Sequence, residues 1–295
     1  MSGSHVLVGV DGGKAAELAL EWAAAEAARG MGVLRIVNVV DPTAYVVYAL
    51  APSSVGVMGL AEEQGERVLE EARASVRALA PDVRVDTLQL RGPRVPLLEA
   101  QAREAALLVL GAHEAPFAHG GLGSLTLHAT AHADCPVVVV RGTGAEPGAG
   151  ARVVVGVDGS ELSLDAVRFA MDQADRTGSD LEVVYAITTP RELWVYEDFR
   201  TDILEEGRRW VSESLAGERE RCPGVRIHER ILASHPVPAL LEAATGARLL
   251  VVGSHGRGRF AGMLLGSVGH AVLRQADCPV AVVRRRSRRS DTRPE

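Results

Sequence analysis

This chain is written twice, and that constrains its fold more than any other feature. Val8-Gly9-Val10-Asp11-Gly12 returns as Val155-Gly156-Val157-Asp158-Gly159, 147 positions further on. Leu98-Glu99-Ala100 returns as Leu241-Glu242-Ala243, and Asp134-Cys135-Pro136-Val137 as Asp277-Cys278-Pro279-Val280, both 143 positions on. Three matches in one order with a slowly drifting offset mark two homologous copies that differ by small deletions. The 295 residues divide accordingly into domain 1 (1–143), a linker (144–150), domain 2 (151–285) and a basic tail (286–295). The linker is rich in glycine and alanine around Pro147, a flexible composition.

Each copy alternates strand and helix signals. In the first, His5–Val10, Val33–Val40, Val83–Leu90, Leu107–Leu110 and Val137–Val140 read as strands. Helices are expected from about Lys14 to Arg29 with Gly30 as its C-cap, at Glu62–Leu79, at Val95–Ala105 and after Ser124. The second copy repeats the order, with strands at Val153–Val157, Leu181–Ile187, Val225–Leu232, Leu249–Val252 and Val280–Val283. Runs such as Val137-Val138-Val139-Val140 do not alternate with polar residues. Unbroken β-branched runs belong to a parallel sheet covered by helices on both faces. The expected fold is α/β: two doubly wound, Rossmann-like domains in tandem, each with a five-stranded parallel sheet. In such a fold the ligand sits beyond the carboxyl ends of the strands, where the winding reverses.

Composition narrows the function classes. The net charge of -6 hides an asymmetry: the segment from Arg284 to Glu295 sums to +4, leaving -10 for the rest. An acidic body argues against a nucleic-acid-binding surface, and a short like-charged tail reads as a solvated, disordered segment. No apolar run is long enough to cross a membrane. Met1–His5 lacks the basic and apolar pattern of a secretory signal, so the expected location is cytoplasmic. The three cysteines lack metal-site spacing and suggest no disulfide framework. Cys135 and Cys278, each before a proline at the start of a strand, read as buried; Cys222, in a turn, reads as more accessible.

The segment after the fourth strand of the second copy carries the chemistry. It runs Gly253-Ser254-His255-Gly256-Arg257-Gly258-Arg259 and reaches a helix start at Gly266-Ser267. Closely spaced glycines let backbone N–H groups approach an anion, and a helix N-terminus adds free N–H groups and a positive dipole end. Arg257 and Arg259 add charge. A Walker A loop is excluded because neither glycine-rich loop contains lysine. Gly256-Arg257-Gly258-Arg259-Phe260-Ala261 matches the dinucleotide pattern G-x-G-x-x-A, but that pattern belongs after the first strand, where aspartate stands instead.

These residues resemble the universal stress protein family. Its nucleotide motif is glycine, two residues, glycine, nine residues, glycine, then serine or threonine, and Gly253, Gly256, Gly266 and Ser267 meet that spacing. The aspartate closing the first strand and the Cys-Pro before the last one agree as well. The resemblance covers both halves and is to the tandem type. It implies ATP, alone or with Mg²⁺, as the bound cofactor. Gly156, Val157 and Asp158 would line the base and ribose side. Gly253, Ser254, His255, Gly256, Arg257, Gly258 and Arg259 would wrap the ribose and phosphates, and Gly266, Ser267 and Val268 would hold phosphate at the helix start. It further implies that the terminal strands pair between domains as an intramolecular pseudo-dimer, with a homodimer as a further step. The implied role is a nucleotide-dependent stress-response protein read by a protein partner; the alternative is a slow ATPase or other nucleotide-processing enzyme, for which only His255 offers an acid/base group.

The first copy departs from this pattern. Glu114 stands where Gly256 stands, and eight residues rather than nine separate it from Gly123. Gly9, Asp11, Gly111, Gly123 and Ser124 survive as a weaker site, so one strong site is expected, in domain 2. His128 and His132 share a helix face at i, i+4, as metal ligands would, but Ala271 and Gln275 replace them in the second copy. Without a glutamate between them they read as two solvent-side histidines, and no metal site is expected. The segments Asp41–Leu60 and Thr188–Arg200 hold much of the aromatic content, including Tyr45, Tyr48, Trp194, Tyr196 and Phe199. They read as a nucleotide lid, a partner surface, or packing over the sheet edge.

Overall fold

A computed structural model describes residues 5–45, 57–112, 122–141, 148, 150–188, 196–256 and 265–284. Each apolar run of the first half becomes a strand: β1 (Val6–Gly9), β2 (Val33–Val40), β3 (Arg84–Arg91), β4 (Leu107–Gly111) and β5 (Val137–Val140). The second half supplies β6 (Val153–Val157), β7 (Leu181–Ala186), β8 (Ile227–Leu232), β9 (Leu249–Gly253) and β10 (Val280–Val283). The helices of the first half are α1 (Lys14–Glu26), α2 (Val57–Leu79), α3 (Arg94–Ala102) and α4 (Ser124–His132). Those of the second are α5 (Glu161–Thr177), α6 (Glu197–Arg221), α7 (Pro236–Ala243) and α8 (Ser267–Gln275). Helices cover both faces, which is why the central strands are apolar throughout: Val6, Leu7, Val8, Val137 and Val138 are fully buried.

Within each half the strands are parallel, and the order is β3-β2-β1-β4-β5 and β8-β7-β6-β9-β10. The winding therefore reverses between β1 and β4, and between β6 and β9. The two sheets are not separate. β5 pairs antiparallel with β10, Val139 opposite Val280 and Val137 opposite Val282, and this joins them into one ten-stranded sheet. The pairing removes both unprotected apolar edges and gives the pseudo-dimer a continuous core. Val138 and Ala281 pack on one face, and Val137, Val139, Val280 and Val282 on the other. A buried polar contact spans the junction as well. Glu26 of α1, 1% exposed, accepts from Gln173 at 2.8 Å and pairs with Arg176 at 3.0 Å, both on α5.

Three local expectations change. The first helix does not end at Gly30; the chain makes a wider π-type turn over Ala27–Met31 and stops at Gly32. Gly32 takes a positive φ of 64° and its N–H donates to the Ala27 carbonyl, so the left-handed cap falls two residues later. The second helix begins at Val57 rather than near Glu62. The segments 46–56 and 189–195, on which the lid, partner-surface and packing readings fall, lie outside the described residues.

Cys222 is not accessible: it is 5% exposed and packs into the core at the end of α6. Cys135 and Cys278 are buried as expected, and none of the three cysteines forms a disulfide. Burial pushes the Cys222 thiol up, and that of Cys278 up to about 11. The native protein is therefore expected to react slowly with Ellman's reagent at pH 8, and all three thiols to react once it is unfolded; a fast native phase would contradict this burial. An unfolded thiol ionises near its ordinary value of 9.0 while the folded Cys278 keeps its proton. Stability falls as pH rises from that value towards 11, by up to about 1.4 kcal/mol per unit.

Candidate functional site

The two reversal points each open into a crevice at the carboxyl ends of the strands. The second-half crevice is a cavity of about 560 Å³ lined by Gly156, Val157 and Asp158 from the end of β6, Gly253, His255 and Gly256 after β9, and Gly266, Ser267, Val268 and Gly269 at the start of α8. Residues some 95 positions apart converge because β6 and β9 are hydrogen-bonded neighbours. Val184, Val252, Pro236 and Leu240 give the same cavity an apolar wall.

Asp158 is held rigidly. Its Oδ1 accepts from the Ser160 N–H at 3.0 Å, the Ser160 hydroxyl at 2.7 Å and the Ser163 hydroxyl at 2.5 Å. Ser160 is also the N-cap of α5, accepting from the Ser163 N–H. This clamp explains the glycine opposite: a Cβ at Gly256 would fall on Asp158 Oδ2, a carboxylate that cannot swing away without breaking those bonds. The chain at Gly256 therefore passes with bare backbone against the aspartate.

At the other wall the loop closes on itself. Ser254 is 2% exposed; its N–H donates to the Val283 carbonyl and its own carbonyl accepts from the Gly266 N–H at 2.8 Å. Ser254 is therefore not among the residues lining the cavity, and the Gly266 N–H is already engaged; both fix the loop rather than face a ligand. The free donors begin one residue on. Gly266 caps α8 without a side-chain hydrogen bond, and the first backbone bond of the helix runs from the His270 N–H to the Gly266 carbonyl. Ser267, Val268 and Gly269, which line the cavity, are the N–H groups of the first turn that an α-helix leaves without internal partners. His255 Nδ1 lies 3.2 Å from the Ser254 hydroxyl. Arg257, Gly258 and Arg259 lie outside the described residues.

The first-half crevice is smaller, about 310 Å³, and joins Gly9, Asp11, Gly111, Gly123 and Ser124. Its chemistry differs at several equivalent positions. Gly13 and Ala16 replace Ser160 and Ser163, so Asp11 accepts only from the Gly13 N–H, at 2.9 Å, among the bonds of this turn. Asp41 replaces Thr188 and brings a second carboxylate to the cavity, beside Arg94. Hydrogen bonds from the Thr43 hydroxyl and N–H hold the Asp41 carboxyl below its ordinary range, so it is charged at neutral pH. Asn38, buried, donates to the Val10 carbonyl at 2.8 Å and lines this cavity; its counterpart Tyr185 stacks on Trp210 and is not among the residues lining the second cavity. Glu114 lies outside the described residues. Sequence reading missed Asn38 and Asp41; comparing the two copies position by position at the ends of β2 and β7 exposes both.

The universal stress protein family model matches this sequence twice, over residues 4–141 and 151–284. The chain belongs to the universal stress protein family. A universal stress protein of Mycobacterium tuberculosis is 36% identical over 95% of this chain and 94% of its own length. One from Mycolicibacterium smegmatis is 35% identical over 95% and 97%. Among solved structures, a universal stress protein from Archaeoglobus fulgidus superposes with a TM-score of 0.73 over 97% of this chain and 100% of its own, at 20% identity. No helix among the described residues is long and apolar enough to cross a membrane.

Proposed function

We propose that this universal stress protein binds ATP in the second-half crevice and acts as a nucleotide-dependent regulatory protein of the stress response, its partners reading whether the site is filled. The observation that carries the reading is the juxtaposition at the second reversal point. Ser267, Val268 and Gly269 of the first turn of α8 line the same cavity as an apolar wall of Val184, Val252, Pro236 and Leu240. Backbone donors suit the phosphates, and the apolar wall suits the adenine ring. A Cβ at Gly256 would run into Asp158 Oδ2, so this loop lines the cavity with bare backbone beside those donors and the apolar wall, a lining that fits the nucleotide.

Arg257, Gly258 and Arg259 extend the same loop and complete the proposed phosphate contacts. In the first half, Asp11 and Asp41 face a cavity little more than half as large, which disfavours a polyanion. That half is read as a weak or empty site. The groups proposed to hold phosphate are backbone donors, the Ser267 hydroxyl and two arginines, and His255 is the acid/base side chain of this loop that lines the cavity; the proposed output is occupancy rather than turnover.

The direct test is to denature the purified protein and identify what it releases by mass spectrometry. ATP, or AMP derived from it, is the expected result. NAD, or protein that neither carries nor takes up an adenine nucleotide, overturns the reading.

A further inference from the structure

Away from the crevices, the structure gathers three metal-binding side chains that the sequence keeps apart. Glu99 on α3 and His128 and His132 on α4 each place one potential ligand atom within 4.8 Å of the others. His128 Nε2 lies 2.9 Å from Glu99 Oε1, and the two imidazoles stack with centroids 4.0 Å apart. The i, i+4 spacing aligns the histidines on one face, but they are not the simple solvent-side pair that the sequence suggests. The packing of α3 on α4 brings a carboxylate to them.

The hydrogen bonding sets the ring chemistry. His132 Nδ1 is 3.0 Å from the His128 carbonyl oxygen. A carbonyl only accepts, so Nδ1 carries the proton, and the lone pair of the neutral ring lies on Nε2. An imidazole whose second nitrogen donates to a backbone carbonyl is the arrangement that fixes tautomer and ring orientation at metal centres.

The second half serves as an internal control. Glu242 occupies the position of Glu99, and there it is neutralised by Arg230 at 2.6 Å. In the first half Leu88 stands at the register position of that arginine, and histidines stand in place of Ala271 and Gln275. One half thus pairs its carboxylate with a guanidinium, and the other faces it with two imidazoles. An N₂O donor set of this kind suits zinc and neighbouring first-row divalent ions rather than Mg²⁺ or Ca²⁺.

We propose that Glu99, His128 and His132 form a binding site for a divalent transition-metal ion of the zinc type. Its fourth position opens to the cavity of about 620 Å³ that His128, His132 and His270 line. Tetrahedral zinc with bonds of about 2.0–2.1 Å holds its ligand atoms about 3.3 Å apart. The Glu99–His128 pair at 2.9 Å therefore opens slightly as the rest close in, a rotamer-scale adjustment. Glu99, His128 and His132 line neither nucleotide crevice, although the cavity beside them shares Ser124 with the first and Ser267 with the second; the proposal does not depend on the reading given to the crevices.

The test uses the full-length, tag-free, nucleotide-free protein titrated with Co²⁺ alone, followed by calorimetry and visible absorption. The expected result is one tightly bound Co²⁺ per chain with the intense bands of a four- or five-coordinate ion, displaced by Zn²⁺. The double variant H128A/H132Q installs residues the second half already carries at these helix positions, and E99Q keeps the side-chain shape. Each is expected to weaken binding by at least about tenfold with an unchanged circular dichroism spectrum. Weak octahedral-type absorption in the parent protein, or full-strength binding retained in both variants, overturns the proposal.

Discussion

Replacing Gly256 with valine is expected to abolish ATP binding while leaving the protein folded. The new Cβ falls on Asp158 Oδ2, and Asp158 cannot yield because Ser160 and Ser163 hold its other oxygen with three hydrogen bonds. The loop must move instead. That displaces the backbone proposed to wrap the phosphates and withdraws several donors at once, each worth about 1 kcal/mol. A loss of about 3 kcal/mol corresponds to more than a hundredfold in affinity. The melting temperature without nucleotide should stay close to that of the parent, because Gly256 is not part of the core. Calorimetry with ATP on both proteins checks this. A variant that binds as the parent does would place the cradle elsewhere.

The second large effect concerns the seam between the halves. Glu26→Ala is expected to destabilise the chain by about 3 kcal/mol, because removing one member of a buried ion pair leaves the other uncompensated. Glu26 is 1% exposed and holds both Arg176 and Gln173 across the junction. Its second oxygen has no hydrogen-bond partner, so the pair is not an optimised one. Replacing both charges together, as E26L/R176M, is therefore expected to restore most of the loss. Urea unfolding of the parent and the two variants measures both effects. If E26A matches the parent, the contact contributes nothing to holding the halves together.

What the sequence made legible follows from its repetition and from local patterns. Two copies, unbroken valine runs and the spacing from Gly253 to Ser267 sufficed for the fold, the reversal point and the crevice. The features that escaped are of two kinds. Some are local signals left unused: Ser160 and Ser163 after Asp158 form a turn and helix cap that the D-G-S-x-x-S order announces. Others exist only through tertiary packing. Glu26 meets Arg176 from 150 positions away, and Glu99 meets His128 from 29; no pattern within either segment names the partner. Cys222 was misjudged for a related reason, since a Pro-Gly turn looks exposed until the end of α6 is packed onto the sheet. Engagement of the Gly266 N–H by Ser254 likewise depends on how the loop folds back, and motif spacing does not record it.

The central claim is that the two copies have diverged in function: one rigid cradle with a single carboxylate in the second half and a smaller, doubly carboxylate-lined crevice in the first. Isothermal titration of the nucleotide-free protein with ATP measures this most directly. The account predicts one high-affinity site per chain, lost in G256V and unaffected by substitution of Asp11. Two equal sites per chain, or a single site that survives G256V, would contradict it.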